Sequence, residues 1–381
     1  MDAAEEDVFR SVGPGRRRAA ANGTRRRSIA GRLLPKDASA GPGLHREENM
    51  AKRSNTHSRV VLGWAGATLV GSMGVGLGLS SDANAADMVR IGLATKTWFP
   101  TVIAQTAEDQ GYFKDEGIEA ELTVYQSGAE AVTAMVAGAA DIIGSSSSVT
   151  ASSRAKGVDA KLIGLLGSGN YGWQLMVLPN SPIIEAKQVE GENVGITSAG
   201  SLSDMLARWT MSDQSITFES IPLGGGGLLP NLISENVSAA VVYSPLSYDV
   251  LAKGDARAIL DYGTAMPEHL NSGWATTGSF IEENPELVQK ATNALYRGVA
   301  YLQDNKDAAI KIIADLNNIS PEVAEMEWKN VFLKLSRTGE MNADLAATAM
   351  ELAKLTGIEN MPQADEIWTD AFTPAVIAPA K

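Results

Sequence analysis

The chain has 381 residues, of which 44% are hydrophobic, and it carries a formal net charge of −13 with 37 Gly, 15 Pro, three His and no Cys. This length is sufficient for two or three domains that each bury a hydrophobic core. The lack of cysteine excludes disulfides, thiolate nucleophiles, zinc–thiolate sites, iron–sulfur clusters and a lipidated N-terminal cysteine. Of the three histidines only His269 lies beyond residue 85, so we do not expect histidine-centred catalysis or metal binding.

The charge is distributed unevenly along the chain. Residues 1–85 contain 13 Lys and Arg against 8 Asp and Glu, whereas the remaining residues contain 19 against 37, a net charge of −18. Neutralising phosphates requires clustered Lys and Arg. Nucleic acid is therefore not an expected partner of the acidic part, despite the arginine triplets Arg16–Arg18 and Arg25–Arg27.

Residues 50–85 have the pattern of a secretory signal peptide. The basic stretch Lys52–Arg59 precedes the apolar run Val60–Leu79, and the triplet Ala83–Ala85 places small residues where signal peptidase requires them. We expect cleavage before Ala86. Because the apolar run has about 20 residues, a retained membrane anchor is the alternative, although its six glycines argue against that reading.

Residues 1–49 are rich in Arg, Gly and Ala and precede a methionine that begins a complete signal peptide. We expect them to be either a wrongly assigned start or a disordered basic extension. Export without a lipid anchor predicts a protein that is free in a space bounded by an outer membrane. This localisation is the periplasm of a Gram-negative bacterium.

From Met88 onward, short apolar strands alternate with helical segments. Strands are predicted at Met88–Ala94, Ile118–Tyr125, Asp141–Gly144 and Lys161–Leu166, and helices at Thr101–Gln110, Ala129–Ala137 and Val149–Lys156. The next strand, Trp173–Leu178, has no helix before it and is followed by the prolines Pro179 and Pro182. This break indicates a crossing between two lobes.

A second series of strands and helices follows the crossing. Strands are predicted at Asn193–Thr197, Ile216–Ile221, Ala239–Tyr243 and Ala256–Leu260, and helices at Leu202–Met211 and Leu228–Glu235. Beyond Trp274–Phe280 the chain is predicted to be helical to about Thr356, with helices that open on Pro285 and Pro321. The pattern predicts an α/β protein with two lobes, each with a mostly parallel sheet, and a helical C-terminal segment. Ligands of such folds bind at the carboxyl ends of strands and in the crevice between lobes.

The segment Gly167–Gly172 matches the dinucleotide fingerprint G-x-G-x-x-G. That motif requires a helix after its glycines, because the helix N-terminus holds the pyrophosphate. Here a strand follows instead. We therefore interpret the segment as a glycine-rich crossover loop.

Three further loops, each between a predicted strand and a predicted helix, have two interpretations each. Thr197–Ser201 can seat an anion at a helix N-terminus, but Ser201 and Asp204 also have capping-box spacing. Ser145–Ser148 can donate hydrogen bonds to a polar ligand or cap a helix. Gly224–Gly227 can form a backbone nest for an anion or a flexible turn.

The loop after the first predicted strand is a further candidate. It contains Lys96, the only cation among these loops. The alternative interpretation of Lys96 is a solvated surface side chain. The aromatic residues Trp98, Trp173, Trp274 and Tyr243 can stack on a flat ligand, although each is individually more typical of a core. His269 beside its proline-containing loop is expected at the surface.

Four of these segments together resemble one family, the periplasmic solute-binding proteins of ABC transporters of the nitrate, sulfonate and taurine type. The segments are Gly111–Ile118, Gly195–Ser201, Pro222–Gly227 and Ala239–Pro245, and the resemblance extends over residues 88–304. It implies a type II periplasmic-binding fold. The first lobe would comprise residues 87–178 plus 270–381, and the second lobe residues 179–269.

The resemblance also implies a role and a site. The partners would be a small-molecule solute and an inner-membrane ABC permease, and the protein would be a monomer without a cofactor and not an enzyme. In relatives the ligand lies between the lobes. Carried over by position, with Trp274 added as an aromatic candidate, the ligand-binding residues would be Thr95, Lys96, Thr97, Trp98, Ser145, Ser146, Ser147, Thr197, Ser198, Ala199, Gly200, Ser201, Tyr243 and Trp274.

The ligand expected from the sequence is a monoanion such as a sulfonate or carboxylate. The shortage of Arg near these loops argues against a multiply charged ligand. The alternatives are a neutral or heterocyclic solute such as a thiamine pyrimidine precursor, or a membrane-anchored sensor with the same fold. Related enzymes that make the thiamine pyrimidine use a histidine and a cysteine-rich segment; this chain has no Cys, and we do not expect its one histidine beyond residue 85, His269, to serve such chemistry.

Overall fold

The structure is a computed structural model, and it describes residues 87–377. The predicted signal peptide, its apolar run and residues 1–49 lie outside the described residues. Within residues 87–377, no helix is both long enough and apolar enough to cross a membrane.

The first sheet has five strands in the order β2-β1-β3-β10-β4. Their bounds are β1 (Asp87–Leu93), β2 (Ile118–Val124), β3 (Ile142–Ser146), β4 (Ala160–Gly167) and β10 (Ser272–Thr277). β1 pairs in parallel with β2 and β3, and β10 is antiparallel to both β3 and β4. Strands β1 to β4 therefore share one direction, and β10 lies between β3 and β4 in the opposite direction.

The second sheet repeats this plan with the order β7-β6-β8-β5-β9. Its strands are β5 (Gln174–Val177), β6 (Asn193–Ile196), β7 (Glu219–Pro222), β8 (Ala239–Val242) and β9 (Arg257–Asp261). β6 pairs in parallel with β7 and β8, and β5 is antiparallel to β8 and β9. Four of the five strands in each sheet share one direction, so the prediction of mostly parallel sheets is correct. It does not include the one antiparallel strand of each sheet, which is β10 in the first and β5 in the second.

The inserted strands are the first ones that the chain forms after it crosses from one sheet to the other. β5 follows β4 in sequence but lies in the second sheet, whereas the division drawn from the sequence gave residues 87–178 to the first lobe. The interpretation of Gly167–Gly172 as a crossover loop is confirmed, because β4 and β5 at its two ends belong to different sheets.

Thirteen α-helices connect and cover the strands within the described residues. They are α1 (Phe99–Asp109), α2 (Tyr112–Asp115), α3 (Gly128–Val136), α4 (Ser147–Arg154), α5 (Leu202–Gln214), α6 (Leu228–Ile233), α7 (Leu246–Lys253), α8 (Tyr262–Ala265), α9 (Gly278–Glu283), α10 (Pro285–Asp304), α11 (Lys306–Asn317), α12 (Pro321–Asn330) and α13 (Ala343–Lys354). α10 and α12 begin on the two prolines that the sequence indicated. We call the first sheet with α1–α4 and α9–α13 the first lobe, and the second sheet with α5–α8 the second lobe.

The central strands are buried on both faces because helices cover each sheet from two sides. All residues of β3, β5 and β8 are buried. Such strands are continuous apolar or small-residue runs, so alternation of polar and apolar residues cannot reveal them. The carboxyl ends of β3 and β8 and the amino end of β5 lie at the site described below.

A buried polar cluster joins the two chain crossings between the lobes. Asn271 donates from Nδ2 to Asn170 Oδ1 at 2.6 Å, and Nε2 of His269 lies 3.1 Å from the same nitrogen. The expectation that His269 lies at the surface is wrong, since it is 6% exposed. Burial lowers the pKa of His269, which keeps the ring neutral inside this cluster.

Glu327 is a buried carboxyl group between the two lobes. It lies on α12, which packs against α7, and it faces Ser244 and Tyr248 of the second lobe. Burial raises the pKa of Glu327 to about 8, and the Ser244 hydroxyl opposes this only in part. Burial and then the Glu327 carboxyl raise the pKa of Tyr248. The folded protein therefore holds Glu327 protonated at neutral pH.

This protonation predicts a pH-dependent stability. The Glu327 carboxyl ionises near pH 4.5 once unfolding exposes it but only near pH 8 in the fold, so the free energy of unfolding falls as pH rises between these values. The loss is on the order of 1 kcal/mol per pH unit. Glu327→Gln removes the loss and is expected to equal the native protein at pH 4 and to exceed it in stability at pH 8, as measured by urea unfolding.

The matched control is Glu325→Gln, an exposed position on the same helix. We expect it to leave the pH dependence of unfolding unchanged. A stability difference between native and Glu327→Gln that is constant from pH 4 to pH 8 would contradict the assignment of a buried, protonated carboxyl.

Candidate functional site

A cavity lies between the two lobes, where the carboxyl ends of β1, β3, β6 and β8 face each other. It offers about 30 Å³ of room for the centres of water molecules, far less than the roughly 150 Å³ of a cavity that accepts benzene. We call it the central cavity. It is lined by Ala94, Thr95, Trp98, Gly128, Gly144, Ser145, Ser146, Val149, Trp173, Thr197, Ser201, Leu202 and Tyr243.

Four helices begin at the central cavity. Trp98 is the N-cap of α1, Gly128 is the first residue of α3, Ser146 is the N-cap of α4, and Ser201 is the N-cap of α5. Each helix N-terminus carries a partial positive charge of about half an elementary charge and unsatisfied backbone N–H groups. Because three of these helices belong to the first lobe and one to the second, the full positive potential exists only when the lobes are closed.

The two hydroxyl-rich corners do cap their helices. Ser201 Oγ accepts from the Asp204 amide at 3.4 Å, and Asp204 Oδ2 accepts from the Gly200 amide at 2.8 Å. Ser146 Oγ accepts from the Val149 amide at 3.3 Å. Ser146 and Ser201 therefore each cap a helix and also line the cavity, so the two interpretations are compatible.

The hydroxyls of the second lobe satisfy one another in this closed state. Thr197 Oγ1 donates to Ser201 Oγ at 2.8 Å, and Ser203 Oγ lies 2.9 Å from Thr197 Oγ1 and 2.8 Å from Ser201 Oγ. Hydroxyl protons rotate, so the same cluster can turn a donor toward a bound anion. The cluster is an adjustable hydrogen-bond source at the tip of α5.

Three aromatic rings form one wall of the central cavity. Trp173 lies edge-on to Trp98 with ring centroids 6.5 Å apart and is tilted against Tyr243 at 5.3 Å. Trp98 Nε1 is buried and has no hydrogen-bond partner. An unpaired buried N–H is costly, so this indole is a donor that a ligand acceptor would satisfy.

Tyr243 remains a neutral phenol at the cavity wall. Burial raises its pKa, and the hydroxyls of Thr95 and Thr97 oppose this shift only in part. Tyr243 Oη accepts from Thr97 Oγ1 at 3.2 Å, which leaves its own proton free to be donated. Tyr243 therefore contributes a donor to the cavity but no charge.

Charged side chains lie at the openings of the cleft and not in the central cavity. None of the described residues that line the cavity is ionised. Lys96 borders a surface pocket of about 510 Å³ on one side, which shares Thr95 and Tyr243 with the cavity. On the other side Lys156 and Arg208 border a pocket of about 410 Å³.

The glycine loop Gly224–Gly227 closes the cleft at the Lys96 side. Gly224 has a φ of +69°, which favours glycine, and the Gly225 amide donates to Gln126 O of the first lobe at 3.0 Å. A Cβ at Gly225 would lie 2.7 Å from Tyr243 Oη and 2.8 Å from Thr95 Cγ2. The loop lacks side chains where it docks against the opposite lobe.

The structure brings half of the residues inferred from sequence into the central cavity. Thr95, Trp98, Ser145, Ser146, Thr197, Ser201 and Tyr243 line it. Lys96 and Thr97 lie at the Lys96-side opening, and Ala199 and Gly200 lie at the other. Ser147 lines a second, separate cavity, and Ser198 Oγ is buried without a partner outside the described linings. Trp274 is fully buried on β10 in the core of the first lobe.

Sequence reasoning missed several lining residues. Gly128, Gly144, Val149 and Leu202 carry no chemical signature, and only the convergence of the two lobes makes them part of a site. Trp173 was noted only as a possible stacking residue. Among the described residues, no group of three or more His, Asp or Glu side chains could hold a metal ion.

The sequence was also compared with known families and structures. The family model described as NMT1/THI5 like matches residues 101–309, more than half of the chain. The chain belongs to the NMT1/THI5-like family. A protein of Bacillus subtilis (strain 168), named as an aliphatic sulfonates-binding protein, is 24% identical over 260 residues, which are 66% of this chain and 76% of the relative.

Two solved structures show the same fold. The alkanesulfonate-binding protein SsuA from Xanthomonas axonopodis pv. citri bound to MOPS has a TM-score of 0.65 at 15% identity, covering 74% of this chain and 98% of that one. The periplasmic nitrate-binding protein NrtA from Synechocystis PCC 6803 has a TM-score of 0.62 at 13% identity, covering 76% and 87%. The fold is that of the periplasmic binding proteins, as the sequence resemblance implied.

The glycine loop generates a prediction on lobe closure. Gly225→Ala places a methyl group against Tyr243 and Thr95, and such overpacking costs about 1–3 kcal/mol. We expect the variant to populate an open form, with a larger radius of gyration in small-angle scattering than the native protein.

The control is Gly226→Ala in the same loop, where an added Cβ meets nothing within 4 Å. It is expected to leave the scattering curve unchanged. Equal radii of gyration for the native protein and both variants would show that the loop does not hold the lobes together.

Proposed function

We propose that this protein is the periplasmic solute-binding component of an ABC importer and that it captures a small organic monoanion between its lobes. The observation that carries the proposal is the convergence of four helix N-termini, from both lobes, on one buried cavity. Such ends stabilise an anion by backbone donors and aligned peptide dipoles. The families and names of its relatives support the same class of role.

The chemistry of the central cavity favours a sulfonate or a carboxylate over a multiply charged anion. Its donors are hydroxyls, an indole N–H and a phenol, all of them neutral. Without Arg or Lys in the lining, a second negative charge would be buried uncompensated, which is strongly unfavourable. The aromatic wall of Trp98, Trp173 and Tyr243 can pack against the organic part of the ligand.

Binding requires the lobes to separate and close again. The cavity of about 30 Å³ in this closed form is smaller than an organic anion, so the lobes must separate to admit the ligand and then close around it less fully than they do here. The ligand stabilises closure only through contacts that both lobes make at once, here the tips of α1, α3 and α4 on one side and of α5 on the other. The closed, loaded form is then the one presented to the permease.

A ligand panel tests this function. Methanesulfonate, taurine, benzoate, nitrate, an aminopyrimidine and phosphate are each added to the purified protein in a thermal-shift measurement. At a hundred times Kd a ligand stabilises the fold by about 2.7 kcal/mol. We expect a shift with one or more of the organic monoanions and none with divalent phosphate. A shift with the aminopyrimidine alone would favour the heterocyclic solute instead.

The buried indole of Trp98 provides a residue-level test. Trp98→Phe keeps a ring but removes the unpaired Nε1–H, and a hydrogen bond to a charged group contributes about 1.5–3 kcal/mol. We expect the affinity for the anion to fall roughly tenfold to a hundredfold in isothermal titration calorimetry.

Trp274→Phe is the matched control, because Trp274 Nε1 is also buried without a partner but Trp274 does not line the cavity. We expect native affinity for this variant. Native affinity in Trp98→Phe would contradict a contact between this indole and the ligand.

A further inference from the structure

Glu327 is a buried carboxyl group that the central cavity does not use. It lies on α12, is 1% exposed and is not among the residues that line the cavity. Neither carboxyl oxygen has a hydrogen-bond partner of normal geometry among the described residues. A buried carboxylate without a partner is strongly unfavourable, so this side chain is stable there only as the neutral acid.

The Glu327 carboxyl faces the opposite lobe. α12 of the first lobe packs against α7 of the second lobe, and the second-lobe residues that the carboxyl faces are Ser244 and Tyr248. Ser244 directly follows Tyr243, which lines the central cavity. The contact between the lobes at Glu327 is therefore next to the cavity wall.

The same stretch of the second lobe holds the end of the crossover loop. Ser247 Oγ donates to Gly172 O at 2.7 Å, and a Cβ at Gly172 would clash with Ser244 Oγ. Gly172 is thus fixed to the second lobe, whereas α12 belongs to the first. A separation of the lobes moves Ser244 and Tyr248 away from α12 and gives water access to the Glu327 carboxyl.

Among the described residues, no basic side chain compensates the charge that an ionised Glu327 would carry. Burial raises its pKa, the Ser244 hydroxyl opposes this in part, and the titratable group that it faces on α7 is the Tyr248 phenol. Asp261 also acts on Tyr248 and raises the pKa of that phenol, so it brings negative charge and not positive charge to this contact.

The other charged side chains of the elements that pack against α12 are engaged with other residues. These elements are α7, α11 and the turn Phe332–Lys334. Their charged pairings are Lys253 with Asp249, Lys306 with Glu325 and Asp307, Lys311 with Asp315, and Lys334 over the Tyr171 ring. On α12 itself, Glu322, Glu325 and Lys329 are exposed. Glu327 is therefore buried at this contact without a counter-charge.

A buried acid at a contact between the lobes links proton binding to lobe closure. Burial raises the pKa of Glu327 to about 8 in the closed form, and contact with water in an open form returns it toward its ordinary value of 4.5. The closed form therefore binds the proton more tightly. As pH rises between these two values, the ratio of closed to open protein falls by up to about tenfold per pH unit.

We propose that Glu327 is a pH-sensitive contact that controls lobe closure, in which the neutral acid keeps α12 packed against α7 and the ionised form favours the open cleft. The effect on closure does not depend on which ligand is bound. The effect on affinity rests on the proposed function, because a ligand held by both lobes binds more weakly when the closed form is less populated. Such a receptor would capture its solute best in acidic surroundings.

The test measures the separation of the lobes in the purified protein without ligand. Because the chain contains no Cys, Val136→Cys and Ile233→Cys place one fluorophore at an exposed position of each lobe. Single-molecule energy transfer between the two fluorophores is recorded from about pH 4.5 to about pH 8. We expect the closed population of the otherwise native protein to fall as pH rises, by up to about tenfold in the closed-to-open ratio per pH unit.

Glu327→Gln places a neutral group of similar shape at the contact, and we expect this variant to stay closed over the whole pH range. The matched control is Glu325→Gln, at an exposed position on the same helix, which should retain the native pH dependence. Circular dichroism checks that each variant is folded.

A closed population that is constant with pH in the native sequence, or that falls equally in Glu327→Gln, overturns the proposal. Neither result bears on the proposed function, which the ligand panel tests separately. Once the panel identifies a ligand, isothermal titration calorimetry extends the test to affinity. The affinity should fall with rising pH in Glu325→Gln and not in Glu327→Gln, and an equal pH dependence in both variants would contradict the control of closure by Glu327.

Discussion

The structure depends on one arrangement, the meeting of helix N-termini from two sheets over a cavity that neither sheet encloses alone. Each lobe presents the carboxyl ends of its strands, and the helices that follow these strands begin at the same place. A single helix N-terminus in water is a weak anion site, because solvent screens its partial charge. Closure removes the water and adds α5 to the three helices of the first lobe, so binding strength and lobe closure are one process.

Under the proposed function, this arrangement explains how an acidic protein would bind an anion. The net charge of −18 beyond residue 85 repels anions at long range, but at physiological salt that repulsion is screened beyond about 8 Å. Inside the cleft local donors act, and the lining holds no carboxylate, although the Asp204 carboxylate accepts from the Gly200 amide at the start of α5. Lys96 places positive charge at one opening, whereas at the other Lys156 and Arg208 are balanced by Asp204 and Glu359. The global charge thus governs solubility more than affinity.

Much of this could be predicted from the sequence, because strand and helix order depends on local patterns. The helix starts at Pro285 and Pro321 and the hydroxyl-rich corners near Ser146 and Ser201 have local signatures. The position of β5 in the second sheet and the burial of His269 have no local signature, because both depend on the path of the chain after it crosses between the lobes. Trp98 and Trp274 look equivalent in sequence, yet one lines the cavity and the other fills the core.

Binding a ligand and converting it chemically require different pKa values of the nearby side chains. A general acid or base needs a pKa near the working pH and a position within reach of the reacting atom. In the central cavity the titratable side chain is Tyr243, whose pKa burial raises still further. Two other described groups whose pKa values are shifted by burial lie outside the cavity, Glu327 beside the lobe seam and His269 in the cluster that joins the crossings. The described lining of the cavity therefore combines neutral hydrogen-bond donors with a phenol that keeps its proton.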